Sequence, residues 1–496
     1  MTNARIAPLD LDSLRATLAA GPAGELPGAP ESRLAGAAEA GPDAARLQSL
    51  GLRRVVEGAG ALEDLGDVLA ATGASSRDVV VLAAATPMSV GQAGLREAIE
   101  KLIGSRFAVR WVVIGPASGS VHADEQTVAA ARAATAGASC VVTVGSGTIT
   151  DIGKAAAGAG TALVVVQTAT SVNGYADPFS VLLRDGVKRT TPTRWPDALI
   201  IDQDVLLGAP AELNRAGVGD MAAMFTATAD WYLASVLRAD GPPYRGDVAG
   251  LVRPHGQRML ALAGDGDGKA GRLVELARLL TLSGITMGVT GSTAPASGME
   301  HAVSHLLEMA ATATGGPANL HGTQVGVASI TAAATWAHVR QRIAEGALER
   351  PARIPDPGLM QDRITSAFGH LDPTGAMAAE CLADYTSKLR LLASRPDPLA
   401  VLRTQWADCD AALAALLIDP TALASGLRSA GLPVRFGALP APVDDAAARW
   451  AVANCALQRR RFGVADLAML LGAWEDDDVD SVLATAAGAA AQASAP

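Results

Sequence analysis

Ser139-Cys140-Val141-Val142-Thr143-Val144-Gly145-Ser146-Gly147-Thr148-Ile149-Thr150-Asp151 is the stretch whose reading decides the fold. A short run of β-branched apolar residues reads as a strand buried on both faces. A Gly-Ser-Gly turn follows, and then a helix predicted over about Thr150–Ala157. Glycine lets the backbone approach an anion, and a helix N-terminus presents free N–H groups and a positive dipole end. The turn is neither a G-x-G-x-x-G nor a Walker A sequence, and tight strand-to-helix turns also use glycine for steric reasons alone.

The same alternation extends on both sides. Gly60–Thr72 reads as a helix, Asp78–Leu82 as a strand, Gly94–Leu102 as a helix and Ala108–Ile114 as a strand. A helix from about Asp124 to Ala136 precedes the quoted stretch, and the strand Ala162–Val166 follows it. Strands alternating with helices imply parallel βαβ units. After Asp202 strand runs disappear and long Ala/Leu-rich segments take over, including Asp220–Val236, Leu273–Thr286, His301–Thr312, Gln324–Ile343 and Pro373–Leu392. The predicted fold class is α/β: an N-terminal doubly wound parallel-sheet nucleotide-binding domain (51–205) and a C-terminal all-helical metal-binding domain (206–483). Residues 1–50 read as a mobile extension with a short amphipathic piece, Leu11–Leu18, and 484–496 as a disordered alanine-rich tail.

With 496 residues, 49% apolar and 18% charged, the chain is long enough for two large cores and is globular in composition. A net charge of −10 argues against a nucleic-acid or anionic-membrane partner. No uninterrupted apolar run suggests a membrane span. Cys140, Cys381, Cys409 and Cys455 lack C-x-x-C spacing and read as reduced thiols of a cytoplasmic protein.

Chemistry concentrates in two places. Ser297-Gly298-Met299-Glu300-His301-Ala302-Val303-Ser304-His305 offers an S-x-x-E capping box and two histidines one helical turn apart. His321, just ahead of Gly322, brings three of the chain's seven histidines within 21 residues. Arg215-Ala216-Gly217-Val218-Gly219-Asp220 reads as a glycine turn into a helix, with Asp220 either an N-cap or the carboxylate that completes a divalent site. On the sheet side, Gln167-Thr168-Ala169-Thr170-Ser171-Val172-Asn173 follows a strand's carboxyl end, where open α/β sheets bind ligands.

Read in order, Gly-Ser-Gly-Thr-x-x-Asp-x-x-Lys154, Thr168-x-x-Ser171-x-x-Gly-Tyr-Ala176, Ala216-Gly-x-Gly-Asp220 and Asp230-Trp231 resemble the sn-glycerol-1-phosphate dehydrogenases. So do Pro295-Ala-Ser-Gly-x-Glu-His-x-x-Ser-His305, Leu320-His-Gly-x-Gln-Val-Gly326 and Arg461-Phe-Gly-Val-Ala-Asp-Leu467. That family sits in the superfamily of iron-containing alcohol dehydrogenases, glycerol dehydrogenases and 3-dehydroquinate synthases. The resemblance implies Asp220, His301 and His321 as metal ligands, usually for zinc, with iron or nickel as alternatives. It implies His305 and Asn173 as catalytic residues near substrate. Gly145, Ser146, Gly147, Thr148 and Asp151 would form the pyrophosphate loop, and Thr168, Thr170 and Ser171 the nicotinamide side. The implied cofactor is NAD or NADP, the implied substrate a polyol or polyol phosphate, and the implied assembly a homo-oligomer.

Departures bear on the substrate. Asn173, Met224 and Ala294 stand where the family pattern has Asp, Lys and Arg, which removes two cations that could meet a phosphate dianion. Ala83-Ala84-Ala85 supplies no carboxylate for an adenosine ribose diol, which admits NADP. Two alternatives compete with the dehydrogenase: a sugar phosphate cyclase like 3-dehydroquinate synthase, and a catalytically decayed binding homologue.

Overall fold

The apolar runs of the N-terminal half do form one sheet. In the computed structural model, which describes residues 9–20, 47–75, 78–115, 121–184, 187–239, 241–261 and 269–493, six parallel strands run across it. Their order is Arg54–Gly58, Ala198–Asp202, Ala162–Gln167, Cys140–Gly145, Val79–Ala84 and Val109–Ile114. Alternate side chains explain why the runs are apolar throughout. Val79, Val81, Val142 and Val164 pack on one face under Leu65, Leu69, Leu95 and Ile99, while Val80, Leu82, Val141 and Leu163 pack on the other under Val128, Ile149 and Ile152. Both faces are covered by helices, as the doubly wound arrangement requires.

The strands stay parallel, but the order in which the chain adds them to the sheet reverses between Val79–Ala84 and Cys140–Gly145, and the Gly-Ser-Gly turn leaves the carboxyl end of the second of these. That switch point is where open α/β sheets hold their ligands. Sequence reading passed over the strands Arg54–Gly58 and Ala198–Asp202 and the antiparallel hairpin Phe179–Arg184 with Val187–Pro192.

The chain divides into two units. The first is built from Gln48–Val218 with the described residues within Met1–Ala20 and Gly264–Val289. The second comprises the described residues within Gly21–Leu47, Gly219–Ala263 and Thr290–Pro496. The helix Lys269–Thr290 therefore belongs mostly with the sheet, not with the helical half to which 206–483 was assigned. In the first unit its Arg278 pairs with Glu57 of the edge strand, Nη2 to Oε1 2.6 Å.

Two terminal expectations change. The helix Leu11–Ala20 is docked, with Leu11 and Leu14 buried and Arg15 donating to the Leu52 carbonyl at 2.6 Å; residues 1–8 and 21–46 lie outside the described part. The tail expected to be disordered from Ala484 is helical across Asp476–Gln492, with Val482, Ala486, Ala489 and Ala490 buried. Alanine is the best helix former, and here one alanine face also finds a core. Among the described residues, two stretches are long and apolar enough to cross a membrane by length and composition, where none was expected. Gly271–Thr290 is 83% buried, as a core helix is, and Ala400–Ser429 is interrupted by the cap at Asp419-Pro420.

Candidate metal centre and nucleotide loop

The helix Met299–Thr314 begins one residue later than an S-x-x-E box would start it, and Gly298 is its N-cap without a side-chain cap bond. A Cβ at Gly298 would stand 2.7 Å from Ala227 Cα and 2.9 Å from Asp230 Oδ2, so only glycine fits. The expected capping box is thus replaced. Glu300 turns inward: its Oε1 accepts from Gly298 N at 2.5 Å and faces His301 Nδ1 at 3.0 Å, and its Oε2 accepts from Thr226 Oγ1 at 2.7 Å. Asp230 accepts from Met299 N, Val464 N and Trp336 Nε1, tying its own helix to three others at this point. Burial, with Glu300 nearby, pushes the Asp230 carboxyl up to about 7.

Asp220 is not an N-cap. It occupies the last turn of the helix Ala211–Met221, and Gly217 and Gly219 lie within that helix, where they serve close contacts. A Cβ at Gly219 would lie 2.1 Å from the Gly322 carbonyl oxygen, and one at Gly326 3.0 Å from Gly219 Cα. These glycines let the helix ending at Met221 touch the start of His321–Ala344, which is what brings Asp220 to His321.

Asp220, His301 and His321 converge, their ligand atoms all within 4.8 Å of one another. Asp220 Oδ1 lies 3.4 Å from His301 Nε2 and 3.8 Å from His321 Nε2. Ligands at ~2.0–2.1 Å from a tetrahedral centre stand roughly 3.3–3.5 Å apart, so little adjustment is needed. The other ring nitrogens face carboxylates: His301 Nδ1 to Glu300, and His321 Nδ1 to Glu308 Oε1 at 2.7 Å. One carboxylate and two imidazoles, with both Nε2 atoms inward, are a donor set that fits a divalent cation. Burial alone would lower the His301 pKa, but Asp220 and Glu300 outweigh it and raise it to about 9. His305 joins the cluster, its ring 5.5 Å from that of His321 and near-parallel to it, and 6.1 Å from that of His301.

In the sheet unit, Ser146 caps a helix that starts at Gly147, three residues earlier than predicted. A Cβ on Gly147 would meet Val172 Cγ2 at 2.6 Å. Ser146 and Thr148 are partly exposed at the turn. Asp151 is not turned to that loop: it pairs with the buried Lys154 at 3.0 Å and accepts from Val181 N at 3.1 Å. Lys154 also pairs with Asp177 at 3.1 Å and donates to the Gly174 carbonyl at 2.8 Å. Burial pushes Asp151 up to about 6 against the pull of Lys154.

The second loop is held from below. Thr170 N donates to Asn214 Oδ1 at 2.9 Å, and Ser171 Oγ lies 3.3 Å from the hydroxyl of buried Tyr175. A Cβ at Gly217 would stand 2.0 Å from the Thr170 carbonyl oxygen. Thr168 is buried beside this loop. Asn173 donates to Ser283 Oγ at 3.1 Å. Sequence reasoning missed Asn214, Glu300 as an imidazole partner, and Glu308; only the H-x-x-x-H-x-x-E spacing, which puts Glu308 on the face of His301, could have flagged the last. Met224 is buried, its sulfur filling the space a Cβ on Gly256 would need, and Ala294 is buried as well.

Comparison with known proteins gives consistent matches. The family profile described as iron-containing alcohol dehydrogenase matches residues 56–210. A glycerol-1-phosphate dehydrogenase (NAD(P)+) from Bacillus licheniformis is 34% identical over 287 residues, covering 55% of this chain and 71% of the relative. A protein of the same name from Hyperthermus butylicus is 30% identical over 323 residues, covering 64% and 88% respectively. Among solved structures, a probable glycerol dehydrogenase from Sinorhizobium meliloti superposes with a TM-score of 0.53 at 18% identity, over 90% of this chain and 99% of that one. That likeness speaks to the fold.

Proposed function

Because the chain belongs to the glycerol-1-phosphate dehydrogenase family of iron-containing alcohol dehydrogenases, we propose that it is a metal- and NAD(P)-dependent oxidoreductase acting on the CH–OH group of a small polyol, or reducing the matching ketose. The observation that carries this reading is the convergence of Asp220, His301 and His321, each imidazole with its outer nitrogen on a carboxylate.

Asp220, His301 and His321 would hold the divalent metal, and two imidazoles with one carboxylate suit zinc, iron or nickel. When bound, the metal supplies a Lewis acid for the alcohol or carbonyl oxygen, and the nicotinamide supplies or accepts the hydride. This chain's residues do the rest. The N–H groups opening the helix at Gly147 face the cofactor pyrophosphate, with Gly145, Ser146 and Thr148 shaping the turn. Thr168, Thr170 and Ser171 orient the nicotinamide side, and the bond from Thr170 N to Asn214 fixes that loop. His305 would relay or steer the substrate proton, and Asn173 orients a substrate hydroxyl. The place of Asp151 in this set is indirect, through the hairpin it anchors with Lys154.

Neutral Met224 and Ala294 weaken the case for a phosphorylated substrate, so dihydroxyacetone phosphate and its unphosphorylated relatives both belong in the assay. Four buried cysteines, none in a disulfide, fit a reducing compartment such as the cytoplasm. The test is a screen of polyols, ketoses and their phosphates with NAD and NADP, following nicotinamide absorbance in metal-loaded protein. Metal-dependent change with at least one pair supports the reading. Retained cofactor with no net absorbance change would instead indicate a cyclase, and the absence of both metal and turnover would overturn the proposal.

A further inference from the structure

We propose that Glu308 and Glu300 are positioning residues of the metal centre: each holds one imidazole by Nδ1, so that Nε2 of His321 and of His301 faces Asp220. The inference rests on the metal reading above and adds which residues set the geometry of the ligands. A histidine ligand whose outer N–H donates to a carboxylate has its tautomer fixed and its basicity raised.

The two carboxylates differ in what else they do. Glu300 is fully buried and also holds Gly298 N and Thr226, so it serves the helix start as well as His301. Glu308 lies two turns after His301 on the same face, with its carboxylate 2.7 Å from His321 Nδ1 and 3.5 Å from Ser304 Oγ. His321 is the first residue of its helix, follows the uncapped Leu320, and keeps 25% side-chain exposure, against 8% for His301 and 1% for Asp220. It is the ligand with the most rotational freedom, and Glu308 removes that freedom. Gln324 steadies the arrangement by donating to the Ser304 carbonyl at 2.8 Å. A single helix, Met299–Thr314, thereby orients both rings before any cation arrives.

The experiment compares zinc dissociation constants of wild type, Glu308→Gln and Glu308→Leu by competition with a chromophoric chelator. Visible spectra of the cobalt-substituted proteins are recorded in parallel. Glu308→Gln keeps the shape and an acceptor oxygen but loses the charge, so zinc should bind about tenfold more weakly; Glu308→Leu should lose up to about a hundredfold. The cobalt ligand-field bands should shift in both, which a purely structural role would not cause. Metal-free melting temperatures provide the folding control, and the near-isosteric Gln variant serves if the Leu variant does not fold. Wild-type zinc affinity and an unchanged cobalt spectrum in folded Glu308→Gln and Glu308→Leu would overturn the positioning role alone. No zinc on the wild-type protein would overturn it together with the metal reading.

Discussion

Metal uptake should be governed by a proton on His301. In the metal-free protein its pKa is lowered by burial yet raised on balance, by Asp220 and Glu300, from 6.5 to about 9. The sign follows directly. A raised histidine stabilises the metal-free fold fully below its unfolded value of 6.5, and that contribution fades as pH climbs through about 9. A divalent cation needs the neutral imidazole and must displace this proton, so apparent affinity rises with pH. At pH 7, two units below about 9, roughly one molecule in a hundred has the ring ready. Zinc should therefore bind about a hundredfold more weakly at pH 7 than at the high-pH limit. Its affinity should rise about tenfold per pH unit between 7 and 9 and level off above. Competition titrations against a calibrated chelator across this range give the profile, and calorimetry in two buffers of different ionisation enthalpy counts the proton released at pH 7. A flat affinity between pH 7 and 9, with no proton released, would refute the electrostatic account of the site.

Three other substitutions probe separate parts of the molecule. Lys154→Met strands Asp151 and Asp177 as buried carboxylates and should cost about 3–5 kcal/mol in urea unfolding; a loss under 1 kcal/mol would mean the network carries no stability. Gly147→Ala forces Val172 aside at the helix start and should weaken NAD(P) binding about tenfold, roughly 1.4 kcal/mol, in a fluorescence titration while metal content stays unchanged. Met224→Lys combined with Ala294→Arg should lower the KM for a ketose phosphate relative to the free ketose. Equal kinetics on both would show that these positions do not meet the phosphate.

What could be read in advance followed the reach of each interaction. Strands such as Val79–Ala84 and Cys140–Gly145 are buried on both faces, so their apolar runs stand out locally. Arg54–Gly58, with Glu57 paired to Arg278 and an exposed Arg54, carries no such run and was missed. In the hairpin Phe179–Pro192 burial does alternate along Phe179–Arg184, but one of the inward positions is the polar Ser180, so no apolar alternation shows in the sequence. At the site, His301, His305 and His321 were legible from residue type and spacing. Asp220 was legible as a residue but not as part of a helix, because Gly217 and Gly219 look like a turn until the Thr170 and Gly322 carbonyls they accommodate are in place. Glu300 showed the same limit: its spacing fits a capping box, yet the partner it takes is a histidine ring beside it. Contacts that span a hundred residues leave no local pattern.

The account depends on a cation at the meeting point of Asp220, His301 and His321, and anomalous diffraction from crystals of the zinc-loaded protein, measured on both sides of the zinc edge, locates it directly. One peak is predicted about 2.0–2.2 Å from Asp220 Oδ1 and the Nε2 atoms of His301 and His321. No peak there, or one bound by other side chains, would contradict it.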